Sequence, residues 1–303
     1  MNTKKDTTLN NRLFSRKGRP LLERHSGKEK IVFVVVFIIF LIHTISLLIP
    51  VLYILLTSLK GKYEYFENPI GFPQAWQFSN FAEAFETLNV NDVTFGMMFF
   101  NSVWFTVLNV LSYLFAPALL GYIMAKYTFK GRNFLYSLII FSLTIPIVGS
   151  GAAAMKLIVN LGLYDNPLHI IVNFLNGFTG HFLIFYGFFK SVSWSYAESA
   201  QIDGAGHFKT YLHIMLPQAL PIFLTFAITD SIDVWNTYES VLLYYPSYPT
   251  LSAGLFTFKE NALRGNFPVY YAGLLMAIIP TLLLFSIFSK KIMTSISVGG
   301  LKG

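Results

Sequence analysis

Cysteine is absent from this 303-residue sequence, which excludes disulfide bonds, thiolate metal sites and cysteine nucleophiles. The six histidines are scattered without the spacing of a metal site, so we expect no bound metal. A Gly-x-x-x-x-Gly-Lys-Ser/Thr phosphate loop and a Gly-x-Ser-x-Gly nucleophile elbow are also missing. The sequence therefore predicts no catalytic residues, and any ATP used with this chain must bind elsewhere.

Charged residues are scarce, because they make up 12% of the chain against about 25% in soluble globular proteins. Hydrophobic residues account for 54% and cluster in long runs. The first run, Ile31 to Leu59, is too long for a signal peptide and has no small-residue cleavage site. It is long enough for a retained transmembrane helix. The composition predicts an integral membrane protein.

Six such runs predict an all-α polytopic membrane protein with six transmembrane helices. The predicted spans are Ile31–Leu59, Met97–Ala125, Phe134–Ile158, Leu168–Phe189, a fifth beginning near Leu216, and Val269–Phe288.

The net charge of +7 comes almost entirely from residues 1–30, which hold nine Lys or Arg and three Asp or Glu. We interpret this tail as a topology determinant and a partner for anionic membrane lipid, and we expect no nucleic-acid partner. With the tail inside the cell, the six spans place 17 of the 22 basic residues on the cytoplasmic side. We therefore expect both termini to be cytoplasmic.

A polar stretch from Ser195 to Pro221 separates two apolar runs and has the features of a helix–turn–helix. Ser195 and Glu198 have the spacing of a capping box, and Gly204 is suited to a left-handed helix stop. A second helix should then bend at Pro217 and Pro221. The charge distribution puts this stretch in the cytoplasm.

Glu198-Ser199-Ala200, Asp203-Gly204-Ala205 and Leu216-Pro217 resemble the Glu-Ala-Ala loop of permease subunits of bacterial ABC importers, with Ser199 where the family usually has alanine. The resemblance implies the type I ABC importer permease (MetI-like) fold. The charge distribution predicts a basic cytoplasmic tail at 1–30, which lies outside the resemblance. The resemblance implies a transmembrane permease domain within 31–303, with a coupling loop at about 193–216. In this family the loop docks in a cleft of the ATP-hydrolysing subunit. The implied ATPase-coupling residues are Glu198, Ser199, Ala200, Asp203, Gly204 and Ala205.

The same resemblance implies the partners: a second homologous permease subunit, two ATP-binding cassette subunits and an extracellular solute-binding protein, at the bacterial inner or plasma membrane. This chain would then be a non-catalytic subunit without a cofactor, since the partner binds ATP. Glu198 would pair with a basic group of the ATPase, Asp203 would fix the turn, and Gly204 would permit it.

The C-terminal sequence Gly299-Gly300-Leu301-Lys302-Gly303 resembles the Gly-x-x-Lys-Gly tail of the smaller permease in maltose-type carbohydrate importers, where the tail inserts between the two ATPase subunits. The resemblance implies that Gly299, Gly300 and Lys302 contact the ATPase. It also implies a sugar substrate, and we expect an oligosaccharide.

Polar side chains within the fifth run are the candidate solute contacts: Asp230, Asp233, Trp235 and Asn236. One hypothesis is that they line the translocation path, where carboxylates and amides bind hydroxyl groups, and Trp235 and Tyr238 stack on sugars. The other is that they mark the outer mouth and contact water. Trp235-Asn236 with the later Tyr248-Pro249-Thr250-Leu251 resembles the sugar-permease branch, which favours the path.

Asn101-Ser102 also resembles the family, and we expect interhelical hydrogen bonds there rather than substrate contact. Three alternatives remain. A permease of the same type could carry a glycerol phosphodiester or polyol. An ion-coupled secondary transporter would use Asp230 and Asp233 as ion sites. A membrane scaffold without transport is disfavoured by the polar residues within spans.

Overall fold

The computed structural model describes residues 27–145, 149–262 and 266–299, with side chains for 29–145, 149–259 and 266–288. The chain divides into two compact units, Met1–Ile54 and Leu55–Gly303. The described part of the first unit belongs to helix α1, Gly27–Ser58, and its apolar side chains from Ile31 to Ile49 are exposed. An apolar surface of this kind suits a helix that lies in lipid.

The second unit is helical apart from one small hairpin within its described residues. Its helices are α2 Glu64–Glu67, α3 Ser79–Thr87, α4 Phe95–Lys126, α5 Arg132–Thr144, α6 Gly151–Asn160, α7 Ile170–Phe174, α8 Gly180–Ser191, α9 Ser195–Ile202, α10 His207–Thr210, α11 Leu216–Gln218, α12 Leu220–Asn236, α13 Glu239–Tyr244, α14 Leu251–Ala262 and α15 Phe267–Gly299. A 3₁₀ turn, Pro167–His169, precedes α7, and a π-helix, Tyr211–Met215, lies between α10 and α11. Strands β1, Asn89–Val90, and β2, Val93–Thr94, pair antiparallel with Asn89 opposite Thr94.

Three described helices are long and apolar enough to cross a membrane: Glu29–Ser58, Phe95–Lys126 and Phe267–Phe288. A fourth crossing is possible as the bent pair His207–Gln218 and Leu220–Asn236. The third and fourth predicted spans are not continuous helices in the structure. Each consists of two shorter helices, α5 with α6 and α7 with α8. Glycine, a poor helix former, lies in both breaks.

The predicted bend before the fifth run is confirmed, with an angle of 74° between its two helices. The N–H of Leu216 donates to the carbonyl of Tyr211, five residues earlier, which forms the π-turn. Pro217 follows and has no N–H to continue the ladder, and Pro221 occupies the first turn of α12. A local π-turn and two prolines thus turn the chain from the polar stretch into α12.

Helix α4 is the centre of the second unit and packs against α7, α8 and α12. It approaches the backbone of α8 closely at Gly121, where an added Cβ would lie 2.9 Å from the backbone N of Tyr186 and 3.0 Å from Cβ of Phe185. Small residues permit such contacts between transmembrane helices. Helices α4 and α8 therefore touch backbone to backbone.

The interhelical hydrogen bond predicted at Asn101-Ser102 is confirmed for Ser102, whereas Asn101 bonds the loop just before α14. Asn101 Nδ2 donates to the carbonyl of Pro249 over 3.1 Å, and Ser102 Oγ accepts from the N–H of Leu251 over 2.8 Å. Because Leu251 begins α14, Ser102 satisfies one of the free N–H groups at that helix end. The pair joins α4 to α14.

Candidate functional site

The coupling segment, residues 193–216, has the predicted helix–turn–helix form. Gly204 adopts φ +81°, in the left-handed region. Its N–H donates to the carbonyl of Gln201 over 3.0 Å, and the N–H of Ala205 donates to Ala200 over 2.9 Å. These two bonds are the Schellman arrangement that ends a helix. The predicted stop at Gly204 is confirmed.

The predicted capping box at Ser195 is wrong. The residue before α9 is Trp194, which has helical dihedrals and makes no side-chain cap. Ser195 Oγ instead lies 2.8 Å from Ser193 Oγ, and the N–H of Glu198 donates to the carbonyl of Trp194. The helix therefore starts one residue earlier than the capping box requires, and Glu198 is free to face outward.

The predicted coupling residues divide between an outward and an inward face. Glu198, Ser199, Asp203 and Gly204 are exposed, whereas Ala205 is half-buried. The Asp203 carboxylate makes no hydrogen bond to the described residues, so backbone bonds rather than this side chain close the turn.

Ala200 is buried, together with Ala197, against the core of the protein. Its side chain therefore packs within this chain instead of reaching outward, and its part in ATPase coupling stays a prediction. Three large exposed side chains, Tyr196, Ile202 and Phe208, were missed by the motif comparison. They add apolar surface beside the exposed Glu198.

The coupling segment is tied to the end of α4. Lys126 Nζ donates to the carbonyl of Val192, and the Tyr127 hydroxyl lies 3.1 Å from Nδ1 of His207. The Tyr127 ring also meets the Trp194 ring edge-on, with centroids 5.7 Å apart. These contacts join both helices of the segment to one transmembrane helix, so a displacement of the segment must act on α4.

Asp230 is the one predicted solute residue that lies within a polar pair. It is buried, and its Oδ2 is 3.3 Å from Nε2 of His181 on α8. His181 also lines a cleft of about 520 Å³ with Tyr113, Thr179 and Phe226. Sequence reasoning missed His181, because nothing in its local sequence indicates that α8 faces α12 at this depth.

The other predicted solute residues are not gathered around this cleft. Asp233 and Asn236 are exposed near the end of α12, and Asn236 Nδ2 donates to the carbonyl of Ile232. Their solute-binding role stays a prediction.

The two aromatic rings expected to stack on sugar are used in packing. Trp235 is buried, donates from Nε1 to the carbonyl of Ala277 over 3.1 Å, and meets Phe99 edge-on. Tyr238 stacks on Phe256 with centroids 4.4 Å apart. In this conformation Trp235 joins α12 to α15, and sugar stacking by these two rings stays a prediction.

The C-terminal residues cannot be placed as a site. Gly299 is the last residue of α15, and Gly300 and Lys302 lie outside the described residues. The same is true of the basic tail up to residue 26.

With this geometry in place, comparison with known families gives a direct assignment. Residues 117–290, more than half of the chain, match the model of the binding-protein-dependent transport system inner membrane component. The matched region contains the coupling segment and α12. The chain belongs to this family.

Curated relatives match over most of their length. The Bacillus subtilis melibiose/raffinose/stachyose import permease protein MelC is 30% identical, with 84% of this chain and 91% of MelC covered. The arabinooligosaccharides transport system permease protein AraQ of Bacillus subtilis is 27% identical over 92% and 99%. The diacetylchitobiose uptake system permease protein NgcG of Streptomyces coelicolor is 27% identical over 84% of each chain.

The fold is also that of a solved transporter. A chain in the crystal structure of a bacterial ABC transporter involved in the import of the acidic polysaccharide alginate superposes with a TM-score of 0.72. It is 22% identical, and the match covers 88% of this chain and 98% of that one. The type I importer permease fold predicted from the sequence is confirmed.

Family membership makes this chain a multi-pass membrane permease subunit of an ABC importer, which works with an ATPase and a substrate-binding protein. It is the non-catalytic membrane component of that system. The alternative of an ion-coupled secondary transporter is therefore set aside.

Proposed function

We propose that this chain is the permease subunit through which an ABC importer moves a carbohydrate, in particular an oligosaccharide, into the cell. The observation that carries the proposal is the exposed coupling segment tied to α4 through Lys126 and Tyr127. The sugar assignment is supported by the relatives MelC, AraQ and NgcG, which are named for oligosaccharide or disaccharide uptake.

The complete importer would contain a second homologous permease, two ATP-binding cassette subunits and an extracellular solute-binding protein. ATP would bind to the cassette subunits alone, and both termini of this chain would be cytoplasmic. Gly299, Gly300 and Lys302 would contact the ATPase from the C-terminal end.

Alternating access would start at the coupling segment. Glu198 would meet a basic group of the ATPase, and the exposed side chains Ile202 and Phe208 would fill an apolar part of its cleft. Closure of the ATPase dimer would then displace α9 and α10. Because Lys126 and Tyr127 join these helices to α4, and Gly121 seats α4 against α8, the two membrane helices would move together.

The charges around the transmembrane clefts favour a neutral solute. Neither Lys nor Arg lines the 520 Å³ cleft, and its lining residue His181 pairs with the Asp230 carboxylate. A phosphodiester would be repelled by that carboxylate, whereas sugar hydroxyls can donate to it. This supports a sugar over the glycerol phosphodiester alternative.

The test is Gly204→Val in the assembled importer. A β-branched residue is strongly disfavoured at φ +81°, so the turn between α9 and α10 should change shape while the transmembrane part stays intact. We expect normal membrane abundance and co-purification of the ATPase, with ATP hydrolysis no longer driving uptake. Uptake of radiolabelled raffinose, diacetylchitobiose and an arabino-oligosaccharide, beside ATPase activity, gives the readout.

Gly204→Asn is the matched control, because Asn tolerates the left-handed region and an added Cβ meets no atom within 4 Å there. It should retain coupled uptake. Normal uptake by Gly204→Val would refute the role of the turn.

A further inference from the structure

A second cleft, of about 160 Å³, lies along the half of α4 that is remote from the coupling segment. We call it the amide cleft; its polar lining comprises Asn109, His169, Asn173, Thr237 and Ser240, beside the ring of Tyr245. At 1.5 Å per residue, Asn109 lies about 26 Å along α4 from Lys126. The amide cleft is thus well separated from the ATPase-facing end.

His169 gives this cleft an unused polar group. The residue is 7% exposed, and its Nδ1 has no hydrogen-bond partner among the described residues. Its ring stacks on Tyr245 with centroids 5.2 Å apart and meets Tyr244 edge-on, so packing holds the imidazole in place. A buried nitrogen without a partner costs free energy, and a ligand hydroxyl would satisfy it once the cleft opens enough to expose Nδ1.

The two amides are pre-oriented by hydrogen bonds to each other and to the backbone. Asn173 Nδ2 donates to Asn109 Oδ1 over 2.9 Å, and Asn109 Nδ2 donates to the carbonyl of Phe105 over 2.8 Å. These two linked hydrogen bonds fix which way each amide points. It leaves the Asn173 side-chain oxygen to accept from a ligand.

We propose that the amide cleft is a solute subsite in this subunit and binds one ring of the imported sugar, an assignment that rests on the proposed function. The cleft is smaller than the 300–1,000 Å³ of typical drug-sized ligand pockets, so it suits one ring instead of an oligosaccharide. Amides, an imidazole and hydroxyls bind sugar hydroxyls, and the cleft lining supplies all three kinds of group. Its lining contains no Lys, Arg, Asp or Glu, which matches a neutral ring.

Tyr113 connects the amide cleft to the larger one, since it lines both. A sugar bound at Asn173 would therefore lie next to the cleft that contains His181, the partner of Asp230. The two clefts therefore adjoin at Tyr113.

The first measurement is uptake kinetics of Asn173→Ala in the complete importer, with a transported sugar from the panel above. Loss of one neutral hydrogen bond should raise the KM for uptake roughly threefold to tenfold at unchanged abundance. Asn160→Ala is the matched control, because Asn160 is exposed at the end of α6 and lies outside both clefts. Its KM should equal that of the wild type.

A second measurement does not depend on weakened binding. Because the chain has no cysteine, Ser240→Cys introduces a single thiol at the amide cleft, and Ser142→Cys introduces one away from it on α5. A water-soluble methanethiosulfonate reagent should modify the Ser240→Cys thiol, and saturating sugar with binding protein should slow this reaction. Sugar should leave the rate at Ser142→Cys unchanged.

An unchanged KM for Asn173→Ala together with no protection of Ser240→Cys would overturn the subsite and leave a polar helix contact. That result would not affect the proposed function, which fails separately if the wild-type importer transports none of the panel sugars. A raised KM with protection establishes the subsite.

Discussion

Lys60 shows how one buried side chain organises a connector that the sequence marks only as polar. It is 1% exposed, and its Nζ donates to the carbonyls of Asn68 and Pro69 over 2.6 and 3.1 Å. Asn80 Nδ2 donates to the carbonyls of Ser58 and Lys60, both over 2.8 Å. The Lys60 ammonium group and the Asn80 amide thus hold the connector between α1 and α3 in place.

Lys60→Met should destabilise this region, because the methionine keeps the apolar stem but removes the charged donor from two carbonyls. Hydrogen bonds to charged groups contribute about 1.5–3 kcal/mol, so we expect a loss of that order in the free energy of unfolding. Thermal unfolding of the purified importer in detergent measures it. Lys62→Met, at an exposed position two residues away, should leave the unfolding temperature unchanged, and equal melting of the two variants would contradict the argument.

At the scale of elements, α4 and α8 behave as one pair because their backbones touch at Gly121. The coupling segment follows α8 directly, and Lys126 in the last turn of α4 donates to the carbonyl of Val192, immediately before the segment. The N-terminal end of the segment is therefore held by both helices. Such a contact limits how far one helix can slide without the other.

Two glycine-to-alanine changes on these helices should have opposite effects on the stability of the protein. Gly121→Ala puts a Cβ at 2.9 Å from the backbone of α8, and overpacking of this kind costs about 1–3 kcal/mol. Gly187→Ala on α8 meets no atom within 4 Å, and alanine favours a helix over glycine by about 1 kcal/mol. In size-exclusion chromatography after heating, Gly121→Ala should be lost at a lower temperature than the wild type and Gly187→Ala at a higher one, and a wild-type melting temperature for Gly121→Ala would contradict the close contact.

At the scale of the whole molecule, the coupling proposal requires that residues 193–216 face the cytoplasm. Seventeen of the 22 basic residues lie on the same side as this segment when the six predicted spans are threaded. The connector before α4 is then extracellular.

A membrane-impermeant maleimide can test this orientation on single thiols in the cysteine-free chain. Ser79→Cys and Ser193→Cys are matched exposed positions on the connector and at the start of the coupling segment, outside the ATPase-coupling residues. In intact cells the reagent should modify Ser79→Cys alone, and in permeabilised cells it should modify both. Modification of Ser193→Cys in intact cells would reverse the topology and defeat the coupling proposal.

Local sequence predicted the features that depend on a few neighbouring residues. The left-handed turn at Gly204 and the bend at Pro217 follow from backbone limits of glycine and proline, and both are present. The cap at Ser195 failed even though it is local, because Trp194 continues the helix by one residue and Ser193 engages the hydroxyl.

What the sequence by itself determined is the membrane class, the apolar runs and the coupling turn, since composition and backbone chemistry act within a short stretch of chain. Only the tertiary structure decided that Trp235 packs against α15, that His181 meets Asp230, and that Asn109 and Asn173 share a cleft. Asn109 and Asn173 are 64 positions apart. The faces that α4, α7, α8 and α12 turn toward one another depend on how the helices pack, and an apolar run in lipid carries little periodicity to reveal them.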